Sequence, residues 1–189
     1  SITQNEALNA GGVYVADQSS LNMKGGTISN NTAASDSYYS DGQGGGVYAA
    51  GTLTLEKGTI TGNSSKRDGA GVYVDATGTF TMTGGTISEN NITGNTSGGG
   101  GVFVGGSDTT KGRFTMNGGT ITKNTADSGG GVYAYGSFSL KNGTISDNEV
   151  TSTGGGVYSS DSFTMENGKI TGNTAKGNDG VGGGVYANS

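Results

Sequence analysis

Proline, cysteine, histidine and tryptophan are all absent from these 189 residues, and only two arginines occur, Arg67 and Arg113. Without cysteine there are no disulfides, no thiol nucleophile and no zinc–thiolate site, and nothing points to a redox compartment. Without histidine the commonest general base and metal ligand is missing, which excludes a nucleophile triad in its histidine form. Ten basic residues stand against fifteen acidic ones, a net charge of −5 that argues against nucleic acid as a partner. No apolar run approaches the roughly 18 residues of a membrane span, so none is expected in this segment. Even ordinary core residues are scarce: leucine, isoleucine, valine and phenylalanine sum to 30, a proportion usually read as disorder.

What is present argues for order. Glycine supplies 41 residues, and seven times a glycine precedes a valine–aromatic pair, at Val13-Tyr14, Val47-Tyr48, Val72-Tyr73, Val102-Phe103, Val132-Tyr133, Val157-Tyr158 and Val185-Tyr186. The spacings run 34, 25, 30, 30, 25 and 28 residues. A repeat of this length marks a solenoid, in which each unit buries its apolar face only against its neighbours, so few apolar residues suffice. Each unit contains three short period-two segments, of the types Val72-Tyr73-Val74, Phe114-Thr115-Met116 and Thr120-Ile121-Thr122. The second and third keep a seven-residue register, from Leu21 to Ile28, Leu53 to Ile60, Phe80 to Ile87, Phe114 to Ile121, Phe138 to Ile145 and Phe163 to Ile170. Two residues before each of these isoleucines stands a glycine (Gly26, Gly58, Gly85, Gly119, Gly143, Gly168), as a corner with unusual φ/ψ requires.

Stacked units place like residues in files. Valine, Leu/Phe, Met/Leu (Met23, Leu55, Met82, Met116, Leu140, Met165) and isoleucine files are expected inside. Three residues beyond each isoleucine is an asparagine: Asn5, Asn31, Asn63, Asn90, Asn124, Asn148 and Asn173. These seven predict a buried ladder in which each amide bonds the next; turn asparagines that tolerate left-handed backbone are the alternative. Outside, the alternation predicts an exposed aromatic file, Tyr14, Tyr48, Tyr73, Phe103, Tyr133, Tyr158 and Tyr186. Such a file is either a stabilising ladder or an amphipathic platform for a glycan or protein ligand. Two hydroxyl files also face out, Thr27, Thr59, Thr86, Thr120 and Thr144 beside Ser29, Thr61, Ser88, Thr122, Ser146 and Thr171.

The Gly-Gly-Gly-Val-Tyr blocks, alternating with blocks such as Phe114-Thr115-Met116-Asn117-Gly118-Gly119-Thr120-Ile121 and Asn124-Thr125-Ala126, cover essentially the whole chain. They resemble the right-handed parallel β-helix of the pectin-lyase-like class, closest to its non-enzymatic branch of bacterial surface adhesin-like repeat proteins. They are also similar to the GGA-(I/L/V) and FxxN repeats of chlamydial polymorphic outer-membrane proteins, although only Phe114 to Asn117 fits FxxN and most glycine runs have Gly where that family has Ala. The resemblance implies an all-β, right-handed parallel β-helix of about six coils of three short strands, with a cell-surface or extracellular bacterial setting. A single β-helix domain over residues 1–189 is expected. Both ends lie mid-coil and uncapped, so the chain reads as an excerpt of a longer protein or a unit that associates end to end.

Three functions stay open. The first is a non-catalytic structural or adhesive solenoid presenting its aromatic face and the variable loops Ala33–Gln43, Asn91–Ser97 and Gly105–Arg113 to a glycan or a host or matrix protein. The second is ice binding through the threonine/serine face, because residues i and i+2 lie about 6.6–6.8 Å apart and successive coils about 4.8 Å. The third is a carbohydrate-active enzyme of pectin-lyase-like type. No catalytic residues are assigned, since the acids are scattered over loops without a recurring pair. No cofactor and no metal are expected; Gly177-Asn178-Asp179-Gly180 lacks the tandem spacing of a calcium-binding repeat.

Overall fold

Each full coil passes through three or four strands that build three parallel sheets. The computed structural model describes residues 1–35, 42–94 and 98–188. The valine–aromatic strands (Val13–Val15, Val47–Ala49, Val72–Val74, Val102–Val104, Val132–Ala134, Val157–Ser159 and Val185–Ala187) form a seven-stranded sheet, the aromatic face. The second and third segments of each coil join a single eleven-stranded sheet, the broad face. In two coils they run unbroken, as Ser20–Ser29 and Thr52–Thr61; later coils split them, as in Thr79–Met82 and Thr86–Ser88. Register is strict: Phe80 pairs with Leu53 and Phe114, and Ile87 with Ile60 and Ile121.

The third sheet was not expected. Just beyond each ladder asparagine lies a two-residue strand (Glu6–Ala7, Thr32–Ala33, Ser64–Ser65, Asn91–Ile92, Thr125–Ala126, Glu149–Val150, Thr174–Ala175), and these make a seven-stranded narrow face. The three expected segments of each coil are all present, and this additional short one completes the third sheet.

The core lies between the broad and aromatic faces. Phe80, Phe114, Leu53, Leu55, Ile60, Met82, Ile87, Met116, Ile121, Leu140 and Ile145 are fully buried there with the valine file. Each such side chain is stabilising by about 1.5–3 kcal/mol relative to exposure. The phenylalanines stack coil on coil, with centroids 4.6 Å (Phe80–Phe114) and 4.8 Å (Phe114–Phe138) apart. A thinner cluster of Ala70, Ile92, Ala126 and Val150 fills the space behind the narrow face.

The asparagines form the expected ladder, buried at Asn31, Asn63, Asn90, Asn124 and Asn148, with Asn5 exposed and Asn173 half-buried at its ends. From Asn5 through Asn148, each side-chain amide donates to the next coil's Asn Oδ1 at 2.9–3.0 Å, and each backbone N–H donates to the same oxygen at 3.0 Å. The second amide proton goes to the isoleucine carbonyl of the preceding coil, as Asn63 to Ile28 O at 3.1 Å. Left-handed backbone belongs to the residue before each asparagine: Gln4, Asn30, Gly62, Glu89, Lys123, Asp147 and Gly172 have φ between 55° and 67°. That residue bends the chain from the broad to the narrow face. The ladder asparagine then fills the corner from inside.

Two sets of glycines answer to close approach. A Cβ on Gly46 would lie 2.9 Å from Ile60 Cγ2 and 3.0 Å from Asn63 Nδ2, so the aromatic strand presses directly on the ladder. At the corners within the broad face, Gly26, Gly58, Gly85, Gly119 and Gly143 have positive φ as expected, whereas Gly168 does not. Gly168 is required instead by Leu140, whose Cγ would stand 2.2 Å from an added Cβ.

Candidate binding face

Alternation in the aromatic strands sends valine inward and the ring outward, and parallel register sets ring upon ring. Tyr14–Tyr48–Tyr73–Phe103–Tyr133–Tyr158–Tyr186 is an unbroken stack with centroid separations of 4.3–5.4 Å and interplanar angles of 6–26°. The expectation that the whole file is exposed needs correction. Tyr14 at the edge is 59% exposed, but Tyr73 is 9% and Phe103 is 5% exposed. A central ring has a neighbour on both faces, and at Phe103 Tyr135 also stands beside the stack. Tyr48, Tyr133, Tyr158 and Tyr186 are half-buried.

The phenol fringe is electrostatically loaded. Burial, then the nearby Asp75 carboxylate, raises the Tyr48 phenol well above its ordinary 10.0. Tyr73 is raised by burial and by Asp75 and Asp68, and Tyr133 by burial and by hydrogen bonding to Tyr135. All three phenols therefore remain neutral donors through the physiological range.

Tyr135 has no aromatic counterpart in the other coils. It lies two residues beyond Tyr133, where other coils carry Ala16, Ala50, Asp75, Gly105, Ser160 and Asn188. Its ring, 46% exposed, stands edge-on to Phe103 (5.8 Å, 69°) and tilted to Tyr133 (5.0 Å, 58°). Beside these rings opens a cleft of about 260 Å³ lined by Arg67, Asp68, Gly98, Phe103, Asp127, Ser128, Tyr133 and Tyr135. Loops thus bring two acids and an arginine together, although no acidic pair recurs along the sequence. Asp68 accepts from the Gly98 N–H at 3.1 Å, and Asp127 accepts from the Thr151 hydroxyl. Burial raises the Asp68 carboxyl above its usual value, opposed by the Gly98 hydrogen bond and by Arg67.

Of the loops proposed for display, residues 36–41 and 95–97 lie outside the described residues. Gly105–Arg113 is a hairpin closed by an antiparallel bridge between Gly106 and Lys111 and by Ser107 N–H to Thr110 O at 2.7 Å. Lys111 reaches Asp161 at 3.6 Å. Among the described residues no group of three acidic side chains gathers to hold a metal ion. Nor, among these residues, is any helix long and apolar enough to cross a membrane.

The hydroxyl files keep their register on the broad face, Thr59 pairing with Thr27 and Thr86, and Thr61 with Ser29 and Ser88. The lattice is wider than expected, because Asn22, Thr54, Thr81, Thr115, Ser139 and Thr164 form a further polar column on the neighbouring strands. Part of its hydrogen-bonding capacity is internal: Ser88 donates to Thr61 (3.1 Å), Ser146 to Thr122 (3.2 Å) and Ser29 to Thr3 (3.3 Å).

Three parallel sheets wound around buried files define a β-helix, and comparison with known families supplies its hand. The chain belongs to the right-handed β-helix family, whose model, described as "Right handed beta helix region", matches residues 1–142. No curated protein and no solved structure matches the chain.

Proposed function

We propose that this β-helix is a non-catalytic extracellular scaffold, set at a bacterial cell surface in the manner of adhesin-like repeat proteins, and that its aromatic face binds glycans. The observation that carries the reading is the seven-ring stack, which lies outside the core and borders, at Phe103 and Tyr133, a cleft edged by carboxylates and a guanidinium. Ring edges along the stack, and the exposed ring of Tyr135 beside it, receive sugar C–H surfaces, while phenols and carboxylates bond sugar hydroxyls. The rod supplies stiffness, since every coil is tied to the next by three sheets and the asparagine ladder.

A glycan array tests it. The wild-type chain binds; the triple variant Tyr48→Ser, Tyr133→Ser, Tyr158→Ser loses binding while circular dichroism still reports the β-solenoid. Undiminished binding by a folded triple variant would remove the platform. Reducing-end release from pectin or mucin glycans would overturn the non-catalytic assignment. Ice binding at Thr27 through Thr171 has weaker support, because Ser29, Ser88 and Ser146 donate within the protein and Lys169 interrupts the lattice.

A further inference from the structure

The aromatic file departs from its own pattern at one level only. Six of its rings are tyrosines, and Phe103 alone lacks the hydroxyl. Five residues before each ring, coil stacking aligns Asn9, Gln43, Asp68, Gly98, Ser128, Thr153 and Val181, as the backbone bonds Gly69 N–H to Gly98 O and Gly99 N–H to Ser128 O record. Gly98, in the Phe103 coil, is the one position in that column without a side chain. A Cβ there would stand 2.1 Å from Tyr133 Cδ2, so the Tyr133 ring lies where a side chain would be. In the next coil Tyr135 places an aromatic wall where every other coil has a smaller side chain. Two deletions and one addition therefore meet at the same cleft, and none is needed for the solenoid, because the other coils do without them.

From this convergence we infer that the cleft is a subsite for a single uncharged sugar ring, the point at which the aromatic face recognises its glycan. The inference rests on the glycan-binding reading of that face. At about 260 Å³ the cleft falls just below the roughly 300–1,000 Å³ of drug-sized sites, a scale suited to one ring rather than a chain. The exposed ring of Tyr135 is inclined at 58° to Tyr133 and 69° to Phe103, so the cleft meets a pyranose with the Tyr135 ring on one side and the edges of the stacked rings on another. Asp68 and Asp127 accept from sugar hydroxyls. Two carboxylates against the one guanidinium of Arg67 leave the cleft net negative, and a uronic or sialic acid carboxylate is repelled from it.

Affinity electrophoresis through gels containing β-glucan, mannan, xylan or galactan, with polygalacturonate as the acidic probe, tests the subsite. The expected result is retardation by at least one neutral polysaccharide and none by polygalacturonate. Two variants then separate subsite from face. Tyr135→Ser removes the wall and copies Ser160 of the next coil; Phe103→Tyr restores the hydroxyl the other six rings carry. Both retain the fold, checked by thermal melting, and both weaken retardation by about tenfold. Phe103→Tyr is the sharper of the two, since a plain stacking platform is indifferent to it. Wild-type retardation that survives both variants overturns the subsite and leaves the face reading standing. Retardation by polygalacturonate also overturns the subsite. No retardation of the wild type by any probe overturns the face reading itself.

Discussion

Two ladders of seven run the length of this molecule, one residue per coil, and they obey different rules. The asparagine ladder is identical at every level and its spacings vary only between 2.9 and 3.0 Å. The aromatic ladder spreads from 4.3 to 5.4 Å, admits a phenylalanine and ranges from nearly buried to mostly exposed. The cause is the number of partners each group must satisfy. A central asparagine bonds the coil before and the coil after through both backbone and side chain, so no other residue can replace it. A stacked ring needs only a neighbour at roughly the right distance. Variation is thereby confined to the outer ladder, where a ligand can meet it.

Breaking the inner ladder has the largest expected effect. Asn124→Ala strands the backbone N–H and side-chain amide of Asn90 and the carbonyl of Ile87. Each buried group left unpaired costs about 1–3 kcal/mol, so a loss of about 3–5 kcal/mol is expected in urea unfolding. Asn5→Ala, at the exposed end of the ladder, costs below about 1 kcal/mol. Equal losses at the two positions would show that the ladder is not what locks the coils.

The outer ladder responds to position in the same sense but less strongly. Tyr73→Ser removes a ring stacked on both faces and costs about 2–3 kcal/mol. Tyr14→Ser, stacked on one face and exposed on the other, costs about 0.5 kcal/mol in the same urea unfolding. The outer ladder also titrates where the inner one cannot. The folded-state pKa values of Tyr48, Tyr73 and Tyr133 lie above the unfolded value of 10.0, so the unfolded chain releases protons first as pH rises. Stability from these phenols is full below pH 10 and is lost above it. Absorbance at 295 nm then shows three phenols ionising only together with the loss of circular dichroism. Ionisation of all phenols near 10 in the intact fold would mean that the stack does not shelter them.

The two ladders differ as well in how openly the sequence declares them. A fixed offset of three residues from isoleucine exposes the asparagines at once, because the corner geometry permits no insertion there. The offset of the rings is equally visible, but their burial is not, since the rings that cover both faces of Tyr73, and Tyr135 beside Phe103, come from neighbouring coils. The narrow face is hidden for another reason: a two-residue strand such as Thr125–Ala126 is too short to display period two. The cleft escapes a coil-by-coil alignment altogether. It consists of departures from the repeat, Gly98, Phe103 and Tyr135, and alignment averages departures away.

The least visible element, the left-handed residue before each ladder asparagine, sets up the smallest and most local prediction. Gln4, Asn30, Gly62, Glu89, Lys123, Asp147 and Gly172 share no chemistry, only φ. Glycine at Gly62 and Gly172 adopts that backbone without Cβ strain, whereas Lys123 holds a conformation that costs a side-chain-bearing residue about 1 kcal/mol. Lys123→Gly relieves that cost and gives back most of it through the greater freedom of glycine in the unfolded chain. The expected outcome is a gain of between 0 and about 0.5 kcal/mol in urea unfolding. The same substitution one residue on, at Asn124, is expected to be among the worst in the molecule. A clear loss of stability in Lys123→Gly would place the Lys123 side chain, and not the backbone bend alone, among the forces that hold the corner.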